Sequence, residues 1–154
     1  IISRLDYRNV LLFGLPDCLL HKLQRVQNHA ARVISGTKKY EHIPPSTPVS
    51  TLATIEQRII YKTLLLTFKS LNGIAPPYLC DLLNQYSPCR SLRSSNQNLL
   101  QEPSYRLKTY GARSFECAAP RLWNNLPANI RSVSCLTTFK RCLKTVLFKE
   151  AYNV

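Results

Sequence analysis

The segment from Thr54 to Leu71 constrains the fold more than any other stretch of this sequence. Thr54-x-x-Gln57 matches a capping box, in which the Thr and Gln side chains accept hydrogen bonds from unpaired backbone N–H groups at a helix start. The residues that follow are apolar on almost every side of a helical projection. A helix of this kind must be covered by its neighbours, so the sequence predicts a central helix. Its basic residues fall close to one line: Arg58, Lys62 and Lys69.

A second amphipathic helix is predicted between Pro16 and Gly36. Proline is favoured at the first helical position, and glycine takes the left-handed conformation that often ends a helix. Apolar residues recur on one face, which we predict to be core: Leu19, Leu23, Val26, Ala30 and Val33. Another face carries cationic residues at the same spacing, together with His29: Lys22, Arg25 and Arg32.

The second half of the sequence is less regular. Pro76-Pro77 predicts a shorter helix through about Gln85. At 105–110, side chains that alternate between two faces at period two predict an extended strand, and residues 113–118 are expected to pair with it. Pro120 is expected to begin a short turn that holds Trp123, a core anchor of this region. Leu136, Phe139, Leu143 and Leu147 predict a terminal amphipathic helix that exposes three basic residues, Lys140, Arg141 and Lys144.

These patterns together predict a mainly α fold, a small helical bundle with one short extended or β-hairpin element near residues 99–118. We expect one domain with three parts: a helical subdomain at 1–86, an exposed loop at 87–104, and an extended segment, Trp corner and terminal helix at 105–154. The chain opens on Ile1 and contains no Met, which favours a fragment or a processed chain. Without a signal-peptide pattern or a membrane span, we expect a soluble, intracellular protein of the nucleus, the cytoplasm or both.

The net charge favours a polyanionic partner. The chain carries 21 Lys and Arg against 8 Asp and Glu, a formal charge of +13. Residues 86–149 contain 11 of the basic residues and only two acidic ones, Glu102 and Glu116. Nucleic acid is the commonest polyanion inside cells, although charge alone is equally compatible with a basic surface that has no specific partner.

The sequence offers no catalytic residue, metal site or cofactor site. Asp6, Asp17 and Asp81 are scattered, whereas nucleotidyl transfer through two metal ions needs clustered carboxylates. The four Gly lie too far apart for a phosphate-cradling loop. Six Cys occur without a C-x-x-C motif, and Cys18-x-x-His21 has no second pair at zinc spacing, so we expect buried, reduced thiols. We therefore predict that the isolated chain is not an enzyme.

One tract interleaves basic and aromatic residues between Tyr105 and Trp123. Basic side chains bind phosphates and aromatic faces stack on unpaired bases, an arrangement suited to single-stranded nucleic acid. We interpret Phe115 and Trp123 as core residues, and keep both a structural and a binding role open for the basic ones: Arg106, Lys108, Arg113 and Arg121.

Four stretches of the chain resemble one family in the same order. They are Ser3-Arg-Leu-Asp-Tyr7, Gly14-Leu-Pro16 continuing into Leu23-Gln-Arg-Val-Gln-Asn28, Lys62 to Leu79, and Arg106-Leu-Lys-Thr-Tyr-Gly-Ala-Arg-Ser-Phe to Leu122-Trp-Asn-Asn-Leu-Pro127. The family is the C-terminal region of LINE-type (non-LTR) retrotransposon polyproteins of the jockey and chicken-repeat group. Departures at Arg8 and at 51–54 from the family's usual residues indicate a diverged copy.

This resemblance implies a region downstream of a reverse-transcriptase palm. Such a region would help to hold the template–primer duplex, contacting RNA or DNA without sequence preference and packing on the palm and fingers of the parent RNA-directed DNA polymerase. The basic helix faces would neutralise phosphates. The alternative is an inert structural or protein-interaction remnant of a degraded element. The oligomeric state stays open.

Overall fold

The computed structural model describes residues 9–38, 54–88, 97–107 and 110–152. Most of these residues are helical, which confirms the mainly α fold predicted from the sequence. Two 3₁₀ turns lie at Asn9–Leu12 and Gly111–Arg113. The α-helices in the described ranges are α1 (Asp17–Ser35), α2 (Ile55–Leu71), α3 (Pro77–Cys80), α4 (Phe115–Asn124), α5 (Ala128–Arg131) and α6 (Leu136–Tyr152).

Helix α2 is the centre of the bundle, as its apolar surface predicts. It contacts α1, α3, α4, α6 and the first 3₁₀ turn. Both bonds of the predicted capping box are present: the Gln57 N–H donates to Thr54 Oγ1 at 3.4 Å, and the Thr54 N–H donates to Gln57 Oε1 at 3.3 Å. Thr63 and Thr67 are fully buried, but each hydroxyl donates to the carbonyl four residues earlier, so neither lacks a partner.

The main core lies between α2, α4 and α6. Phe68 of α2 stacks on Phe139 of α6 with ring centroids 4.3 Å apart, and Trp123 of α4 lies 5.9 Å from the same ring. Trp123 is 2% exposed, which confirms its prediction as a core anchor. The predicted apolar face of the terminal helix is also confirmed, since Leu143 and Leu147 belong to this cluster.

Removing the cap of α2 gives a first test of this fold. We expect Thr54→Ala to lose about 1 kcal/mol of unfolding free energy, because one backbone N–H at the helix start loses its acceptor. Urea denaturation followed by circular dichroism measures the change. Thr145→Ala is the matched control, because its hydroxyl is exposed and donates to the Arg141 carbonyl in a helix interior. Equal losses in the two variants would contradict a capping role for Thr54.

The prediction for the buried face of α1 is wrong in part. The buried residues are Gln27, Ala30 and Ala31, whereas Val26 is 46% exposed and Val33 is 83% exposed; Leu19, in the same line, is also exposed. The physical reason is a polar contact, in which Gln24 Oε1 accepts a hydrogen bond from the N–H of Ile55 at the start of α2. This bond turns the face that holds Gln24 and Gln27 towards α2.

The predicted hairpin near residues 99–118 is also wrong. The only bridge in the described residues joins Gln85 to Leu100, and residues 115–118 belong to α4. A helix forms there because the Ala118 N–H bonds to the Ser114 carbonyl, and because Ala118 and Ala119 pack almost completely inside. Pro120 lies within α4 and does not begin a turn.

Two further boundaries differ from the predictions. Helix α3 ends at Cys80 and does not reach Gln85. In the predicted exposed loop at 87–104, residues 89–96 lie outside the described ranges, but Leu100 is buried. The Leu100 N–H donates to Asn124 Oδ1 at 2.9 Å, and Asn124 Nδ2 donates back to the Leu100 carbonyl at 2.9 Å. This reciprocal pair ties the segment to the end of α4.

Candidate nucleic-acid interface

The basic residues of α2 lie along one strip of the helix that is at least partly exposed. Helical geometry places Arg58, Lys62 and Lys69 within about 40° of one another around the axis. The opposite faces hold buried residues such as Ile59 and Thr67. Lys62 is exposed, and Arg58 and Lys69 are partly exposed. The line predicted from the sequence is therefore present on the surface of the central helix.

A contact between Tyr61 and Lys144 joins this strip to the basic residues of α6. Lys144 Nζ lies 6.0 Å from the centroid of the Tyr61 ring, a cation–π distance, and Tyr61 directly precedes Lys62 on α2. Tyr61 pairs with Lys144 and Phe68 stacks on Phe139, so α2 and α6 run antiparallel. Six residues form what we call the α2–α6 basic surface: Arg58, Lys62, Lys69, Lys140, Arg141 and Lys144.

Three side chains of this surface are exposed to solvent: Lys62, Arg141 and Lys144. Lys140 is partly exposed, and Arg141 lies on the side of α6 away from the buried Leu143. Burial raises the pKa of Tyr61, so its ring stays neutral beside Lys144. Residues four apart on a helix are separated by about 6 Å along the axis, so the side chains of Arg58 and Lys62 leave α2 about 6 Å apart in one row. Such a row binds a chain of phosphates without contacting base edges.

The basic stripe of α1 lies on the face of α1 that points away from α2. Lys22 and Arg25 are exposed on the side of α1 opposite Gln27 and Ala31, which face α2. Arg32 is partly buried, and its Nε has no hydrogen-bond partner within the described residues. The structure thus confirms an exposed position for Lys22 and Arg25 but does not bring them to the α2–α6 basic surface.

The tract between Tyr105 and Trp123 is divided by the structure into surface and core. Arg121 Nη2 donates to Tyr105 Oη at 2.8 Å, and its guanidinium lies 5.8 Å from the centre of the Tyr105 ring. Arg106 is exposed, and Tyr110 is 79% exposed. Trp123 is buried, as predicted, and Phe115 is partly buried, whereas Tyr110 presents the accessible ring.

The other two basic residues of the tract differ from each other. The side chain of Arg113 lies over the turn at Gly14, where an added Cβ would come within 3.0 Å of Arg113 Cγ. Gly14 also has a φ of +70°, which favours glycine. Arg113 therefore has a packing role at this turn. Lys108 lies outside the described residues.

The cysteines differ from the expectation of buried thiols. Cys117 is buried, but Cys18 and Cys135 are exposed, and Cys89 lies outside the described residues. A hydrogen bond with the Thr137 side chain, at 3.0 Å, is the main cause that lowers the pKa of Cys135 to about 7. Sequence reasoning missed this thiol, although its position directly before α6 is one where a cysteine pKa falls. Across the described ranges, no three His, Cys, Asp or Glu side chains are grouped as metal ligands.

The comparisons with known proteins add no relative. No family model, curated protein or solved structure matches this chain. In the part of the chain that the structure describes, no helix has both the length and the apolar character to cross a membrane. The interpretation of the basic surface therefore rests on its own geometry and on the sequence resemblance.

Proposed function

We propose that this chain is a nucleic-acid-binding accessory region of a LINE-type RNA-directed DNA polymerase. The observation that carries the proposal is the α2–α6 basic surface, where cationic residues of two helices are joined by the contact between Tyr61 and Lys144. The net charge of +13 and the resemblance of four sequence stretches support the same conclusion. In the resembling family this region follows the palm.

The mechanism is electrostatic. Lys and Arg side chains neutralise phosphates and release the counterions condensed on the nucleic acid, a gain that does not depend on base sequence. Because α2 is held on several sides by the bundle, the positions of Arg58, Lys62 and Lys69 are fixed before binding. The partner is RNA or DNA of any sequence, and the chain itself binds no cofactor and is not catalytic alone.

Salt dependence tests the proposal. With six phosphates neutralised, one for each residue of the α2–α6 basic surface, the log–log plot of affinity against salt should have a slope of about −4 on single strands. Fluorescence anisotropy with labelled 20-nucleotide RNA or DNA of two unrelated sequences measures it. We expect the same slope and similar affinities for both sequences. A slope near zero, or binding to one sequence alone, would contradict the proposal.

A second candidate, a protein-interaction role, is favoured by the outer face of α1. Leu19, Val26 and Val33 recur every seven residues and are all exposed. The partner that the family resemblance implies is the polymerase palm. A purified parent palm domain should then bind the chain with an affinity that falls in Val26→Asp but not in Lys62→Gln. An affinity for the palm that falls instead in Lys62→Gln would place palm docking on the α2–α6 basic surface and contradict this candidate.

A further inference from the structure

Three exposed apolar side chains follow one line along α1. Leu19 is 40% exposed, Val26 is 46% exposed and Val33 is 83% exposed. Because they recur every seven residues, helical geometry keeps them within about 40° of one another around the axis and spaces them by about 10.5 Å along it. We call these three residues the α1 heptad line, which extends over about 21 Å.

Basic side chains lie along one flank of the α1 heptad line. Lys22 and Arg25 are exposed, and helical geometry places them on the side of the line away from the buried Ala30. The helix supplies no carboxylate to this flank, because its one acidic residue, Asp17, lies in the first turn. A partner that covers the line therefore gains most if it brings negative charge to this flank.

We propose that an amphipathic helix with acidic residues on one flank docks on the α1 heptad line. A second helix matches a heptad spacing, since its own apolar residues recur at the same interval. An extended strand presents side chains on one face about every 7 Å, which does not match a spacing of about 10.5 Å. Glu or Asp residues of the partner then lie beside Lys22 and Arg25, as charged residues do beside the apolar seam of a coiled coil.

The charge and the width of the line favour this partner over two other occupants. A second copy of the chain carries the same net charge of +13, and its α1 has no acidic residue beyond the first turn. An anionic lipid surface matches the charge, but a helix that lies in such a surface inserts a broad apolar face. The α1 heptad line is one residue wide, between Lys22 and the buried Ala30.

Binding of a synthetic peptide tests the docking of a helix. The probe is a fluorescein-labelled peptide of about 18 residues, long enough as a helix to cover about 21 Å, with Leu at heptad positions and Glu at the flanking ones. Fluorescence anisotropy should show saturable binding to the wild-type chain. A peptide of the same composition in scrambled order should bind at least about tenfold more weakly. Equal binding of the two peptides, or no binding of the first, would overturn the proposal.

Val26→Asp tests the line itself, and Ile74→Asp is the matched control, because Ile74 is a 58% exposed apolar residue outside α1. We expect Val26→Asp to weaken peptide binding at least about tenfold, as loss of a central apolar contact does, and the control to bind as the wild type does. Val33→Asp is a second variant, at a position that is 83% exposed and so contributes little to folding. Wild-type affinity in both α1 variants would overturn the proposal.

A charge reversal tests the basic flank. The double variant Lys22→Glu with Arg25→Glu should bind the Glu peptide at least about tenfold more weakly than the wild type does. It should instead prefer a peptide that has Lys in place of each Glu, a gain that a merely structural role for the two residues does not produce. A double variant that keeps the wild-type preference for the Glu peptide would overturn the acidic partner.

Two measurements identify the other occupants. A dimer of the chain in analytical ultracentrifugation that Val26→Asp dissociates would make a second copy the occupant and overturn the proposal. Cosedimentation with phosphatidylserine vesicles that Val26→Asp abolishes, without binding of the Glu peptide, would make lipid the occupant and overturn it as well.

The inference rests on the protein-interaction role of α1 and not on nucleic-acid binding, and the two can fail separately. Palm binding that falls in Val26→Asp, together with no binding of the Glu peptide, would uphold the protein-interaction role and overturn the docked acidic helix. Binding of the Glu peptide along the α1 heptad line by a chain that does not bind nucleic acid supports the docked helix and contradicts only the nucleic-acid role.

Discussion

Trp123→Ala is expected to destabilise the protein by about 3–5 kcal/mol, as truncation of a large core aromatic usually does. The side chain is 2% exposed and lies against Phe139 at the junction of α2, α4 and α6. Its Nε1–H also donates to the Asn98 carbonyl, so truncation frees the segment that contains Leu100. Urea denaturation followed by circular dichroism measures the loss.

Tyr110→Ala is the control for an aromatic residue of the same tract. Its ring is 79% exposed, so we expect its unfolding free energy to change by less than about 0.5 kcal/mol. Nucleic-acid binding by Trp123→Ala should fall only in proportion to the unfolded fraction. A Trp123→Ala protein with unchanged stability and binding weakened by about 1–3 kcal/mol would contradict the core assignment and identify a stacking residue.

The sequence predicts the central helix best because two independent signals agree there. The capping box fixes the start of α2 at Thr54, and the all-round apolar surface requires burial on several sides. The apolar periodicity of α1 predicts its buried face only in part, because the periodicity depends on the hydropathy of each residue alone. The face that meets α2 is determined by the hydrogen bond that the Ile55 N–H donates to Gln24 Oε1. The alternation of apolar and polar residues at 105–110 likewise does not predict α4, the helix in which Ala118 and Ala119 are buried.

The candidate sites also differ in how far the sequence predicts them. The line of Arg58, Lys62 and Lys69 is visible in the sequence because one helix contains it. Its junction with α6 through Lys144 depends on how two distant helices pack, so no local pattern predicts it. The burial of Arg131 is equally invisible in the sequence, because an arginine near the end of a four-residue helix is typical of a surface position, yet this side chain is 8% exposed.

Neutralising the α2–α6 basic surface should have the largest effect on binding. We expect the wild type to lose single-strand affinity by about 250-fold between 50 mM and 200 mM salt, as a slope of about −4 requires, and replacement of all six residues by Gln to remove this salt-dependent part of the affinity, because the counterions are no longer released. The fold should persist, since none of the six residues is buried. The control neutralises four positions off this surface, Lys22, Arg25, Arg106 and Lys149.

Parallel salt titrations of the wild type, the six-residue variant and the four-residue control test the central claim most directly. Circular dichroism first establishes that all three are folded. The account predicts a log–log slope of about −4 for the wild type and the control, and a slope close to zero for the six-residue variant. Parallel lines for the wild type and the six-residue variant, or a flattened line for the control, would contradict the assignment of nucleic-acid binding to the α2–α6 basic surface.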